Sequence, residues 1–549
     1  MCNRWYNVPF APRLHTNLVI VEIAAMSRTT RMIGVIGLLI VTACSPPSPS
    51  AQGGPSAAPT EPRRAAAQII RGADSGLPAS ASPESVSARM HIFAAQFDAL
   101  LDFGPNFKLM PAVAERWELL PDQSGWRFTL RRDMTFSNGT RMTAADVEFT
   151  INLFIDTNTP QRPLMPNVTR AQRVDDFTVD LLTRQRDVSV LYAAPYLYVF
   201  PQSYYQQVGR DGFATKPMGT GPYEIVEFRT ADEIVYRRRA GFDHPYRKAT
   251  ATEIRWRAVP DTTVALAGVR TGEIDIAVGP FSGDQADQAK REGLGVDVQL
   301  TTVQAFRFDK NAIEKRMSPL ADKRVRQALN YAVDKEAIAR TIFKGYAQPT
   351  GQIAPPGSLL HDESIRPYPY DVARAKQLLA EAGYPTGFKV QGPIDYTRAF
   401  FQPSLMQAVQ GYLREVGVEV GIEEQEFGVY VDIFFTRGGR TRNEMVAANM
   451  SDANGFFSLQ RGLLTCDLPP ANVIWCAPGF DDNYRAAQAE TDPERRAAFL
   501  RAANRAHVDD VSMIFLVVVP SITVTSKKLQ GLTLPTPFFW NLDSVVKLE

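Results

Sequence analysis

The chain has 549 residues, enough for several structural units. Its 60 Lys and Arg residues are balanced by 59 Asp and Glu, which excludes the basic excess of a nucleic-acid binder, and no acidic tail or polybasic membrane patch is present. Four cysteines in so long a chain, none in a CxxC pair, exclude a disulfide-dense scaffold.

From Met26, Arg28 and Arg31 supply positive charge ahead of the short apolar run MIGVIGLLIV (Met32 to Val41), followed by Thr42, Ala43 and Cys44. A charged region, a brief apolar region and a small-residue processing site make an export signal. The run is about half the roughly 20 apolar residues a membrane span requires. Val41-Thr42-Ala43-Cys44 resembles the bacterial lipobox, in which the signal is cut before a cysteine whose thiol carries the lipid. The Ser-, Pro-, Gly- and Ala-rich stretch from Ser45 to Pro62 suits a flexible tether. Met1 to Ala25 do not fit the signal; they are either an upstream start-codon assignment or an unusually long charged region. Lipidation at Cys44 places the rest of the chain outside the cytoplasm, anchored to the membrane, where disulfides persist. There Cys466 and Cys476 enclose the loop CDLPPANVIWC. They are read as a disulfide worth about 2–3 kcal/mol if unstrained, with two buried thiols as the alternative.

Along the exported part, Ala67 to Arg71 suits a first strand. Trp126 to Arg131 alternates as a half-buried strand does. Thr143 to Phe154 predicts a helix, capped by Thr143, with Asp146 at its third position and Val147, Ile151 and Phe154 on one face. Phe177 to Leu182 is a strand and Lys216 to Tyr223 (KPMGTGPY) a loop. Glu224–Phe228 and Ile234–Arg238 form a hairpin. Val264 to Arg270 is a short helix, and Ile274 to Val278 a buried strand after a turn at Gly272. Lys323 to Ile342 is helical, with Val325, Leu329, Ala332 and Val333 on one stripe and Asp334 starting a second helix that Gly345 closes. Further helices are predicted at Asp371–Ala382, Leu405–Val416 and Arg495–Asp509, and strands at Val418–Glu424 and Ile514–Val519. This alternation predicts an α/β class with several lobes.

Six segments then appear in one order. They are LMPAVAERW (Leu109 to Trp117), FTLRRDMTFSNGTRMTAADV (Phe128 to Val147), GTGPY (Gly219 to Tyr223), GEID (Gly272 to Asp275), Asp322 to Asp334, and Tyr370 to Gly383. Together, from about Ile69 to Leu532, they resemble the family 5 extracellular solute-binding proteins, which include dipeptide- and oligopeptide-binding proteins. The resemblance implies a two-lobed periplasmic-binding-protein clamp (type II-like) with an additional inserted domain. Its expected layout is an extension and signal peptide at 1–43, a tether at 44–66, and a first piece of lobe 1 at 67–98. The inserted domain follows at 99–216, a second piece of lobe 1 at 217–307, lobe 2 at 308–514 and a last piece of lobe 1 at 515–549. Such a clamp holds its ligand between the lobes by hinge closure. Gly139, Gly219, Gly221 and Gly383 are expected to serve turns or caps, Trp117, Trp126 and Phe128 the core, and Arg324 and Arg326 to pair with surface carboxylates.

The resemblance also marks binding residues. Peptide-binding members hold the free amine of the ligand with an aspartate that falls, on the family spacing, at Asn449; the family's nearby tryptophan is Val446. An amide supplies only a dipole to an ammonium that needs a charge. Asp452 either replaces that charge or forms the turn before Ala453-Asn454-Gly455. Arg398 lies within two residues of the place where some members hold a ligand carboxylate, which a guanidinium can grip with two hydrogen bonds; the alternative is an exposed arginine. Gly219 and Thr220 complete the expected binding set.

The expected partners are a small solute or peptide, the permease subunits of an ABC importer and the membrane, with no nucleic acid, metal or cofactor, the protein acting as a monomer and not as an enzyme. The five histidines show no i,i+4 pair, and no HExxH, GxSxG or Walker A sequence occurs. A receptor-docking sensor lipoprotein is the first alternative and a hydrolase the second. Replacing Cys44 with Ala is expected to move the protein from the membrane fraction to the soluble extracytoplasmic fraction. Retention of the variant in washed membranes would contradict the lipid anchor.

Overall fold

The computed structural model describes residues 68–85, 90–157, 159, 161–431, 443–451, 464, 475, 477–534 and 542–548. The predicted signal, Cys44, Asp452, Cys466 and Cys476 lie outside them. Two long strands organise the described part. Gly295–Phe308 and Met513–Thr525 pair antiparallel along their length, with register shifts at Leu300/Thr302 and Gln304/Ala305. At one end Ile276–Gly279 adds to the second strand through Ile522–Thr525. At the other, Met445–Ser451 adds to the first through Thr302–Phe308. These two strands therefore belong to both halves of one eleven-stranded sheet.

On one side of them follow Ile276–Gly279, Ile69–Asp74, Glu253–Ala258, Glu233–Arg238 and Tyr223–Arg229. Ile69–Asp74 is parallel to both of its neighbours, as strands joined by crossover connections are. On the other side follow Met445–Ser451, Phe388–Tyr396 and Val418–Glu424. A separate four-stranded antiparallel sheet is built from Ala114–Leu119, Gly125–Leu130, Thr178–Thr183 and Val168–Asp175. This is an α/β clamp with an inserted domain.

Local chemistry explains the element boundaries. Helix Ala144–Asp156 starts where Asp146 Oδ2 accepts the backbone N–H of Thr143 at 2.9 Å. The other oxygen of Asp146 accepts Gln202 N at 2.9 Å, so the same carboxylate fixes the start of the following helix, Gln202–Thr215. Asp322, Asp334, Asp371 and Asp492 cap helices Lys323–Ala332, Lys335–Thr341, Val372–Glu381 and Pro493–Asp509 with their side chains. Gly272 adopts a left-handed conformation (φ 78°) that ends helix Thr262–Thr271.

Three expectations need correction. The strand predicted at Ile514–Val519 runs on to Thr525 through Pro520, because Pro520 sits beside the bulge at Leu300/Thr302, where a missing N–H is tolerated. Arg324 pairs with half-buried Asp322 at 2.6 Å, and Arg326 pairs with Asp510 at 3.5 Å but is itself buried. Its guanidinium donates to the carbonyls of Val511, Leu320, Ala321 and Asp510 at 2.8–3.0 Å and lies 3.8 Å over the Trp475 ring. Arg326 therefore ties its helix to the end of Pro493–Asp509 rather than decorating the surface. Finally, Trp126 and Phe128 are core, whereas Trp117 is only partly buried.

The inserted sheet and the helices near the C-terminus share one apolar cluster, which includes Phe154, Val190, Tyr484 and Leu500. Hydrogen bonds cross between them: Val188 N donates to Gln488 O at 2.7 Å and Arg496 Nη2 to Tyr192 Oη at 3.2 Å. Within this region His507 is fully buried. Its Nδ1 accepts from Ser512 Oγ at 2.8 Å and its Nε2–H donates to Leu464 O at 3.2 Å, the pairing that one neutral tautomer satisfies. Burial pulls its pKa down from 6.5 to about 4. Between these values the unfolded chain holds the proton and the folded chain does not. The resulting loss of stability, on the order of 3 kcal/mol, accrues as pH falls from 6.5 toward 4. Denaturant unfolding at pH 7 and pH 4.5 is expected to show a smaller pH difference for His507→Gln than for the wild type. Equal differences would contradict a neutral buried imidazole.

Candidate functional site

Strands Phe388–Tyr396 and Met445–Ser451 run parallel, with Asp395 opposite Val446. In this register the end of Phe388–Tyr396 meets the start of Met445–Ser451, so the loop after Tyr396 leaves along the rest of that strand, toward the edge at which it ends. Arg398 and Asn449, chosen from sequence, are thus brought to the same edge. Asn449 also lies directly opposite Gln304 on the neighbouring long strand. Residues opposite one another point to the same face.

Several contacts fix this edge. Gln304 is buried; its Nε2 donates to Phe400 O at 2.5 Å, while its Oε1 has no hydrogen-bond partner among the described residues. The Phe400 ring meets Tyr430 edge-on at 5.9 Å and Phe427 at 5.7 Å. Tyr430 is buried and donates its hydroxyl to Ala447 O at 2.8 Å. Buried Asp395 accepts from Asn443 Nδ2 at 2.5 Å and Gln425 Nε2 at 2.9 Å, which ties the ends of three strands together. Arg398 is exposed and its Nε is held by Glu424 at 2.7 Å. That pairing raises the Arg398 pKa. Its bond to Glu424 uses Nε, and the remaining guanidinium nitrogens suit a carboxylate. Behind the edge, Arg307 is buried, and lost hydration lowers its pKa to about 10.

Gly219 and Thr220 stand elsewhere. A Cβ at Gly219 would lie 2.1 Å from Gln96 O, and one at Gly221 would lie 2.7 Å from Ala95 O. These glycines permit close backbone approach, and Gly221 N donates to Gln96 O at 2.8 Å. Thr220 is buried and gives its hydroxyl to Asp98 Oδ2 at 2.7 Å. Arg239 Nη1 holds the Thr220 and Gly221 carbonyls at 2.9 and 3.0 Å. Asp98 in turn pairs with Arg247, which also pairs with Asp543. Among the described residues nothing joins this loop directly to Arg398 or Asn449.

Sequence reasoning did not single out Gln304, Phe400 or Tyr430. The long strand carrying Gln304 has no clean alternation, and only its register against Asn449 reveals the placement.

Comparison with known proteins agrees with this architecture. The family model described as bacterial extracellular solute-binding proteins, family 5 Middle, matches residues 108–459. The glutathione-binding protein GsiB of Salmonella choleraesuis (strain SC-B67) is 26% identical over 448 residues, covering 79% of this chain and 85% of GsiB. Among solved structures, the ABC transporter-associated periplasmic binding protein DppA from Helicobacter pylori, in complex with the peptide STSA, superposes with a TM-score of 0.72. It is 23% identical and covers 87% of this chain and 98% of DppA. MoaA from A. tumefacien R10, in complex with mannopinic acid, has a TM-score of 0.70 at 20% identity, covering 88% of this chain and 100% of MoaA. Because the family model spans well over half of the sequence, the chain belongs to the bacterial extracellular solute-binding proteins of family 5.

Proposed function

We propose that this protein captures a small peptide or peptide-like solute between its two lobes and delivers it to the permease of an ABC importer while Cys44 tethers it to the membrane by a lipid. The observation that carries the reading is that Gln304, directly opposite Asn449, holds the Phe400 carbonyl in the loop that also carries Arg398. Glutathione and a tetrapeptide appear in the names of similar proteins, and one of these is called ABC transporter-associated. Both support the peptide-like class and the importer role.

Arg398 receives the ligand's carboxylate and Asn449 a polar, uncharged group. Asn449 disfavours a bare ammonium because burying a cation against an amide leaves its charge uncompensated. Asp452, two residues past Met450 in sequence, is the acid that would restore a free-amine preference. Gly219 and Thr220 contribute by holding the facing lobe's loop against residues 95–98, since the threonine hydroxyl is already spent on Asp98. Lobe closure bends the paired long strands near the Leu300/Thr302 shift, which lies between their two sets of neighbours.

Two measurements test this. Mass spectrometry of solute released from the purified protein is expected to find a carboxylate-bearing compound. Its absence, with a neutral sugar in its place, would remove the role given to Arg398. Asn449→Asp is expected to raise affinity for the free-amine dipeptide Ala-Ala relative to N-acetyl-Ala-Ala by about tenfold or more, the equivalent of 1.4 kcal/mol. An unchanged ratio of the two affinities would contradict the placement of Asn449 at the ligand.

A further inference from the structure

A cavity of about 200 Å³ opens away from this edge, where the chain passes from residues 90–103 into the inserted sheet. Its walls come from both: Asp98, Asp102 and Arg247 on one side, Arg131 and Met134 on the other, closed by Tyr198 and Tyr246. None of Arg398, Asn449 or Gln304 lines it. The cavity is too small for a drug-sized ligand, which needs about 300 Å³ or more, and suits a molecule the size of one amino acid.

Its charges divide into spent and unspent groups. Asp98 and Asp543 are both engaged by Arg247, whose Nη2 also donates to Ala94 O at 2.7 Å. Asp98 further accepts the Thr220 hydroxyl. Asp102 differs. One oxygen accepts Phe103 N at 2.7 Å, and the other meets no donor among the described residues. The carboxylate is reachable from the cavity, yet the surrounding protein strips enough hydration to push its pKa up. Arg131 is the second unspent group. Its Nε donates to Ala112 O at 2.7 Å and its guanidinium lies 3.5 Å over the Tyr246 ring. No carboxylate pairs with it among the described residues, so its outer nitrogens remain available to an acceptor in the cavity.

One uncommitted carboxylate and one uncommitted guanidinium, in a pocket with aromatic walls, match a molecule that carries both charges. We propose that this cavity is a second ligand site for a small zwitterion of amino-acid size, with Asp102 receiving its ammonium and Arg131 its carboxylate. The ammonium is further favoured by the faces of nearby tyrosines, and the carboxylate by the two parallel hydrogen bonds a guanidinium can give. Neutral and singly charged analogues leave either exposed Asp102 or buried Arg131 without a ligand partner. The site sits on the chain's passage into the inserted domain, so its occupancy bears on how that domain is held.

Isothermal titration of the purified full chain with L-alanine tests the site, with ethylammonium chloride and sodium propionate as the singly charged probes. Saturable binding of alanine is expected, weakened about tenfold or more by Asp102→Asn and by Arg131→Lys. Ethylammonium and propionate are each expected to bind at least tenfold more weakly than alanine. A thermal-unfolding scan identifies any variant that fails to fold, and Arg131→Lys then decides alone. No saturable alanine binding, or alanine binding indifferent to both cavity variants, would overturn the proposal. Equal binding of ethylammonium and alanine would overturn the zwitterion class. Because the dipeptide ratio at Asn449 is read separately, failure here is distinguishable from failure of the reading given to the cleft.

Discussion

The antiparallel pairing of Gly295–Phe308 with Met513–Thr525 is the constraint on which the rest of the architecture depends. The second strand carries Ile276–Gly279 at one end of the pair and the first carries Met445–Ser451 at the other. Regular pairing would make them a stiff beam. The shift at Leu300/Thr302, with Pro520 beside it, interrupts that regularity between the two sets of neighbours, and the shift at Gln304/Ala305 interrupts it within the stretch paired with Met445–Ser451. An interrupted ladder bends more easily than a continuous one, because fewer hydrogen bonds must be broken to change its twist. The candidate ligand edge begins one register step from the second shift, at Gln304. On the function proposed above, bending of this ladder would couple ligand contact near Gln304 to lobe position without a separate relay.

Away from the hinge, buried charge takes the place of apolar packing at the junctions between segments far apart in sequence. Arg247 joins Asp98 to Asp543, and fully buried Asp275 accepts Arg71 N and pairs with Lys547 at 2.6 Å. Arg326 does the same with four carbonyls. A buried ion pair recovers little net energy over an apolar pair of equal size, but breaking it by removing one partner is costly. Such ties discriminate between correct and incorrect docking of the chain's distant pieces. That suits a lobe assembled from an early strand, a middle hairpin and the end of the chain.

Much of the local structure is legible in the sequence, for identifiable reasons. Helix Ala144–Asp156 could be read from Thr143, Asp146 and the spacing of Val147, Ile151 and Phe154, because capping and one-sided burial act within a few residues. The helices begun by Asp322, Asp334 and Asp371 follow from the same chemistry. Strand Val418–Glu424 carries a β-branched run, and the whole clamp class follows from six ordered motifs. Arg326 was misread because an arginine on an amphipathic helix gives no local sign of whether its end meets water or the carbonyls of residues about 185 positions away. The strand through Pro520 was cut short because proline's tolerance there depends on a bulge in its partner.

What the sequence by itself determined is the family and the α/β class. These are read from neighbours in the chain or from ordered motifs, and need no knowledge of distance. Only the tertiary structure decided which of the marked residues meet. Parallel pairing of Phe388–Tyr396 with Met445–Ser451 put Arg398 and Asn449 at one edge, while burial of Thr220 against Asp98 committed the GTGPY loop to packing. It also decided that Asp98 and Asp543 pair with Arg247, while Asp102 and Arg131 form no ion pair among the described residues. A side chain's charge is written in the sequence, but whether that charge is already neutralised depends on what the fold brings within a few ångströms of it.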